Sequence, residues 1–233
     1  VTSTSCLAGA SPKGTPWDAY RASPQGEAFR FQERILLQRF PTVDEREYAL
    51  LNRRFGPAVR RTCDVVMSPA SLDHWLKVIQ QNRRGEVGMV ILRPSGRVLV
   101  HTREFYPDGV FRFPTGGIAW GESVLHALER EVWEETELTA EILRPLAVLE
   151  YRFTDGAREI PFVTYLFLLR HAPGNPSLQD ADERIAGFDE VEKSQLYRVA
   201  DALERLGGDW LDWGRFRTVA HRLAAELLSG ADV

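Results

Sequence analysis

The sequence predicts a mixed α/β domain with an N-terminal helical extension. Three observations lead there. Helix signals dominate up to residue 84, strand-rich segments take over from Gly85, and one strong helix interrupts the strands before two more helices follow. The order lacks the strict strand–helix alternation of a doubly wound sheet. The expected boundaries are 1–84 for a tail and helical extension, and 85–233 for the main domain with its C-terminal helices.

Residues 1 to about 27 are rich in Ser, Thr, Gly, Pro and Ala and read as a loop or loosely docked arm. Phe29 to Phe40 reads as helical, with Ile35, Leu36 and Leu37 among charges. Thr42 and Glu45 fit a capping box for a helix from Val43 to Phe55, stopped by Gly56-Pro57. Cys63 to Met67 is a short apolar strand. Ser68-Pro69 opens a helix that Gly85 closes, and its Leu72, Trp75, Leu76 and Ile79 share a core-facing side.

Val87–Leu92 and Arg97–His101 flank Pro94-Ser95-Gly96 and read as a hairpin. Val110 to Phe113 is a short strand entering a glycine bend at Gly116 and Gly117. Ser123 to about Glu137 is a helix. Leu143–Thr154 and Glu159–Leu169 are long strands around the Asp155-Gly156 turn. Ala172 to Asp182 is a polar loop, Phe188 to Val191 a short strand, and Ser194–Leu206 and Arg215–Leu228 are helices.

The net charge of -4 argues against a broad nucleic-acid-binding surface. Cys6 and Cys63 are too few for a disulfide framework or a four-cysteine zinc site, which makes a reducing cytoplasm the expected location. No apolar run approaches the ~20 residues of a membrane span, and the first residues lack the pattern of a signal peptide. The five histidines have no metal-ligand spacing.

The chemistry concentrates in GGIAWGESVLHALEREVWEETEL, Gly116 to Leu138. Glu131, Glu134 and Glu135 stand at i, i+3 and i+4 and share a helix face. Like charges so placed cost roughly 0.2–0.5 kcal/mol per pair, a sign that a bound cation reverses. Magnesium takes oxygen ligands, and three convergent carboxylates exceed what one ion normally needs, so more than one metal position is expected. Val124, Leu125, Leu128 and Val132 form the opposite, apolar face. The bland alternative is a solvated acidic face, with Arg130 pairing with Glu134 at i+4. The glycines permit close approach of a ligand, and a backbone group there would join the metal or phosphate site.

This arrangement resembles the Nudix box. Gly116 is followed by five residues and Glu122, seven more lead to Arg130, Glu131 and Val132, and Glu134, Glu135 and Leu138 fall in register. Eight of nine specified positions match over 23 residues. Glu137 stands where the motif has its second glycine, and it is expected to alter the helix end without touching ligation. The entry Phe111-Arg-Phe-Pro-Thr-Gly-Gly is similar to that of the family too.

The resemblance implies an α/β/α sandwich around a mixed sheet. It also implies hydrolysis of a phosphoanhydride bond in a nucleoside diphosphate linked to another group. Glu131, Glu134 and Glu135, with the Gly116 backbone, would ligate Mg2+ or Mn2+. Glu122 and Arg130 would brace the loop–helix–loop, and Glu122 would extend the metal set. Glu134 or Glu135 would serve as general base, or a residue outside the box, of which Asp182 and Glu183 are candidates. Trp120, Arg103 and Gly117 are the candidate substrate contacts. Trp120 would stack or gate if it is not simply packed on the loop, and Arg103, like Arg152, either meets phosphate or is solvated.

The alternative to an enzyme is a Nudix-like nucleotide sensor without turnover; retention of all the motif glutamates favours the enzyme. A decapping-type enzyme acting on RNA ends fits the acidic net charge poorly. The expected partner is a small nucleotide, with no membrane or nucleic acid, and a homodimer is left open. A nucleotide sugar, ADP-ribose, a dinucleoside polyphosphate and a damaged nucleoside triphosphate all remain open as substrates.

Overall fold

The computed structural model describes residues 40–171, 173–177 and 184–229, so the expected helix from Phe29 and the loop candidates Asp182 and Glu183 lie outside the described residues. The first described helix, α1 (Glu45–Phe55), is capped by Asp44 and not by Thr42. The spacing of Thr42 and Glu45 fits a box, but the Asp44 carboxylate accepts from the N–H groups of both Arg46 and Glu47 at 2.9 and 3.2 Å. Gly56 ends α1 at φ 91°, a conformation other residues resist.

Strand β1 (Val59–Val66) extends further back than the expected Cys63 start, and α2 (Pro69–Asn82) begins at the expected Ser68 N-cap. Gly85 does not close α2. It opens β2 (Gly85–Leu92), where a Cβ would stand 2.9 Å from the Val163 carbonyl oxygen. The hairpin partner is β3 (Val98–Arg103). The expected strand at Val110–Phe113 reduces to one bridge, His101 to Arg112. The glycine bend is itself a strand, β4 (Thr115–Ile118), antiparallel to β2.

Helix α3 (Val124–Thr136) follows, then β5 (Ala140–Thr154), β6 (Glu159–His171) and β7 (Ile185–Val191). After a 3-10 turn come α4 (Leu196–Glu204), a second 3-10 turn (Gly208–Trp210) and α5 (Leu211–Ser229), which starts four residues before the expected Arg215.

The sheet runs β1-β5-β6-β2-β3-β7, with β4 also on β2. β1 is parallel to β5 and β2 to β6, while the other pairs are antiparallel, so the sheet is mixed. One face packs Leu72, Trp75 and Ile79 of α2 and Phe216, Leu223 and Leu228 of α5. The other packs Leu51 of α1 and Val124, Leu128 and Val132 of α3. The result is the expected α/β/α sandwich.

A split in this sheet positions the site. β2 meets β3 at Leu92 and Val98, then leaves it to pair with β4 through residues 85–88, while β3 turns to β7. Arg112 and the start of β4 stand where the strands diverge.

Candidate active site

Gly116 and Gly117 are required by close approach, since neither has positive φ. A Cβ on Gly116 would lie 1.8 Å from Cδ of Glu131, and one on Gly117 would lie 2.6 Å from Nε of Arg83. Only glycine lets the Glu131 carboxylate rest directly on the strand. Successive residues of β4 thus receive a carboxylate on one face and a guanidinium on the other, as strand alternation requires.

The start of α3 is tied down by three residues. Ser123 accepts from the His126 N–H. Glu47 of α1 accepts from the Val124 N–H at 2.6 Å and pairs with Arg84 at 2.8 Å. Arg84 in turn donates to the Glu122 carbonyl. A carboxylate at a helix N-terminus is favourable because four N–H groups there lack partners in the helix. The segment before residue 85 therefore braces the motif helix, a contact with no sequence signature.

Arg130 is the hub of the box. It donates to both oxygens of Glu122, to Glu131 at 2.8 Å, to Glu134 at 2.8 Å and to the Gly117 carbonyl at 2.9 Å. The i+4 pairing with Glu134 exists, as one link in a larger cluster. Glu131 and Glu135 are buried, whereas the Glu134 side chain keeps 41% of its exposure. Arg103 donates to Glu135 at 3.1 Å, bringing the end of β3 against the motif helix.

Burial pushes the Glu122 carboxyl up, but hydrogen bonds from Arg130, the Ala119 N–H and His126 outweigh it and hold the group at about 2, against 4.5 ordinarily. Such a depressed carboxyl stabilises the fold above pH 4.5, and the contribution is lost as pH falls toward 2. The shift corresponds to stability on the order of 3 kcal/mol, an upper figure for a side chain that retains some solvent. Wild-type protein is expected to lose that stability between these pH values, and Glu122→Gln to show a flatter profile. Denaturant titrations across pH would check this, and parallel profiles would refute it.

Glu137, the departure from the motif, caps α3 in the left-handed conformation at φ 55°. It adopts the backbone that glycine would take there, at a cost of roughly 1 kcal/mol. Its carboxylate points to Ser177, away from the box.

The remaining candidates are placed as follows. The Trp120 indole N–H donates to the Ile79 carbonyl at 3.3 Å and its backbone N–H to Asn82, which lays it against the end of α2. Arg152 pairs with Asp64 on the surface.

Several polar groups behind the site escaped the sequence reading. Arg112 donates to Tyr106 Oη at 2.6 Å, the Phe113 carbonyl at 2.7 Å and Thr115 Oγ1 at 2.8 Å. Glu86 accepts from Thr164 at 2.9 Å and Arg217 at 2.8 Å, wholly inside the protein. His221 accepts the Phe113 N–H through Nε2 and faces the Arg217 carbonyl through Nδ1, the pattern of a neutral ring. Burial drives its pKa down to about 3, consistent with that form. One signal existed: Glu86 is a lone charge in the otherwise apolar strand GEVGMVIL.

A model of the NUDIX domain matches residues 82–213, more than half of the chain. The chain belongs to the Nudix family. It is a Nudix-type hydrolase, and its matched residues span β2 to the start of α5 and include the whole box. Among solved structures, the chain is similar to an E. coli dihydroneopterin triphosphate pyrophosphohydrolase (17% identity, 64% of this chain and 98% of that one, TM-score 0.43). It is also similar to a MutT NUDIX hydrolase from Burkholderia pseudomallei (26%, 61% and 95%, TM-score 0.41) and to a C. elegans Ap4A hydrolase (20%, 63% and 98%, TM-score 0.40). No described helix is long and apolar enough to cross a membrane.

Proposed function

We propose that this Nudix protein hydrolyses a phosphoanhydride bond of a nucleoside diphosphate linked to another group, with Mg2+ or Mn2+. The observation that carries this reading is the Glu131 carboxylate seated on Gly116, on a helix that also carries Glu134 and Glu135; among the described residues the three expected carboxylates do not converge into a metal cluster, because Arg130 holds Glu131 and Glu134 and Arg103 holds Glu135. These are hard oxygen donors on one helical face, the donor chemistry that magnesium and manganese select. Glu131, Glu134 and Glu135 would hold the ion with the Gly116 carbonyl; Glu122, already engaged by Arg130, Ala119 and His126, would brace the set. A divalent ion in this position supplies charge neutralisation at the phosphates and a water of lowered pKa.

The protein's own groups supply the rest. Arg103, at the end of β3 and bonded to Glu135, is the guanidinium outside the box that would meet the diphosphate, while buried Arg112 is spent on Tyr106, the Phe113 carbonyl and Thr115. Glu134 is the motif carboxylate with the best access to water, and it takes the proton of the attacking water in this scheme.

The test is a turnover screen of nucleotide sugars, ADP-ribose, dinucleoside polyphosphates and nucleoside triphosphates with magnesium and with manganese, beside Glu134→Gln and Glu135→Gln. Metal-dependent phosphoanhydride cleavage that either variant reduces at least 100-fold is expected. Turnover of none of them by wild-type protein would refute the reading.

A further inference from the structure

An aromatic cluster outside the motif adjoins the glutamate site. Phe105 and Tyr106 lie in the loop after β3, Trp210 ends the 3-10 turn before α5, and Trp213 lies in the first turn of α5. Tyr106 is edge-on to Phe105 and to Trp210, at 5.1 and 5.6 Å between ring centroids. It also packs on Trp213 at 4.9 Å. Phe105 and Trp210 are parallel within 16°, with centroids 6.4 Å apart. Phe105 nevertheless remains 44% exposed. Trp210 also lines a groove of about 770 Å3 with Trp213 and with His74 and Trp75 of α2; Phe105 is not part of its lining.

Two connections join this cluster to the glutamates. Phe105 follows by two residues Arg103, whose guanidinium bonds Glu135 at 3.1 Å. Tyr106 Oη receives Arg112, which also bonds Thr115, the neighbour of Gly116. Phe105 is thus joined to the glutamates through Arg103, and its neighbour Tyr106 to the Gly116 strand through Arg112.

We propose that Phe105 and Trp210 form the stacking surface for the base of the nucleotide substrate. The proposal rests on the phosphoanhydride reading above. Flat aromatic faces suit a flat base, whose stacking is sequence-tolerant and substantial. A quaternary ammonium would also suit aromatic rings, but the Arg184 guanidinium already stands 5.2 Å from the Phe105 centroid and would repel it. The same cation favours a neutral ring that carries phosphates.

Calorimetric titration of the full chain with ADP, and separately with inorganic pyrophosphate, both with magnesium chloride, tests this without relying on turnover. Phe105→Ala and Trp210→Ala are expected to raise the Kd for ADP roughly 5- to 100-fold and to leave pyrophosphate binding within about twofold, while Phe105→Trp keeps ADP affinity. Unchanged ADP affinity in both alanine variants, or no ADP binding by wild-type protein, would overturn the proposal. So would a loss of ADP affinity confined to Trp120→Ala. Failure of the hydrolase reading registers separately, as absence of turnover in the screen above.

Discussion

Gly116→Ala is expected to lower kcat/KM by at least about 100-fold while the protein stays folded. The new methyl group would overlap Cδ, Cγ and Oε2 of Glu131 at 1.8, 2.0 and 2.1 Å. The strand is hydrogen-bonded to β2 and does not yield easily, whereas the Glu131 side chain is a flexible arm that does. The carboxylate therefore leaves its seat, and misplacing a working group by about 1 Å costs on the order of 100-fold in rate. Circular dichroism melts and turnover of the best substrate from the screen would check this together. A kcat/KM within threefold of wild type would show that the seat of Glu131 on Gly116 has no part in the reaction.

Arg217→Ala is expected to cost about 3–5 kcal/mol of stability, because it leaves Glu86 charged and buried without its cation. Arg217 and Glu86 keep side-chain exposures of 9% and 2%, so solvent offers Glu86 no replacement. Burial itself pulls the Arg217 pKa down, which shows how poorly that place tolerates charge. For a chain of this size the loss corresponds to roughly 6–20 °C in Tm. Combining Glu86→Met with Arg217→Met replaces both charges and is expected to restore most of the loss, as buried pairs replaced by apolar groups often do. A Tm for Arg217→Ala within 2 °C of wild type would contradict the account.

Local signals made most elements legible. Ser68 and Ser123 cap the helices they were expected to cap, and the Asp155-Gly156 turn joins the two long strands. Errors arose where two local signals competed. Thr42 and Asp44 both precede a helix, and only the folded backbone decides which side chain reaches the free N–H groups. Gly85 reads as a helix stop by its chemistry, yet a neighbouring strand passes too close for any side chain. Gly116 and Gly117 read as a bend for the same reason and are a strand.

The sequence by itself determined the Nudix family, because the spacing of Gly116, Glu122, Arg130, Glu131, Glu134 and Glu135 acts within one loop and helix, where position along the chain sets position in space. Tertiary structure alone decided what surrounds that helix. Glu47 reaches it from 77 residues away, Arg103 from 32, and Arg217 meets Glu86 across 131. Such contacts follow from which strands pair and which helices cover them, and no periodicity along the chain records them.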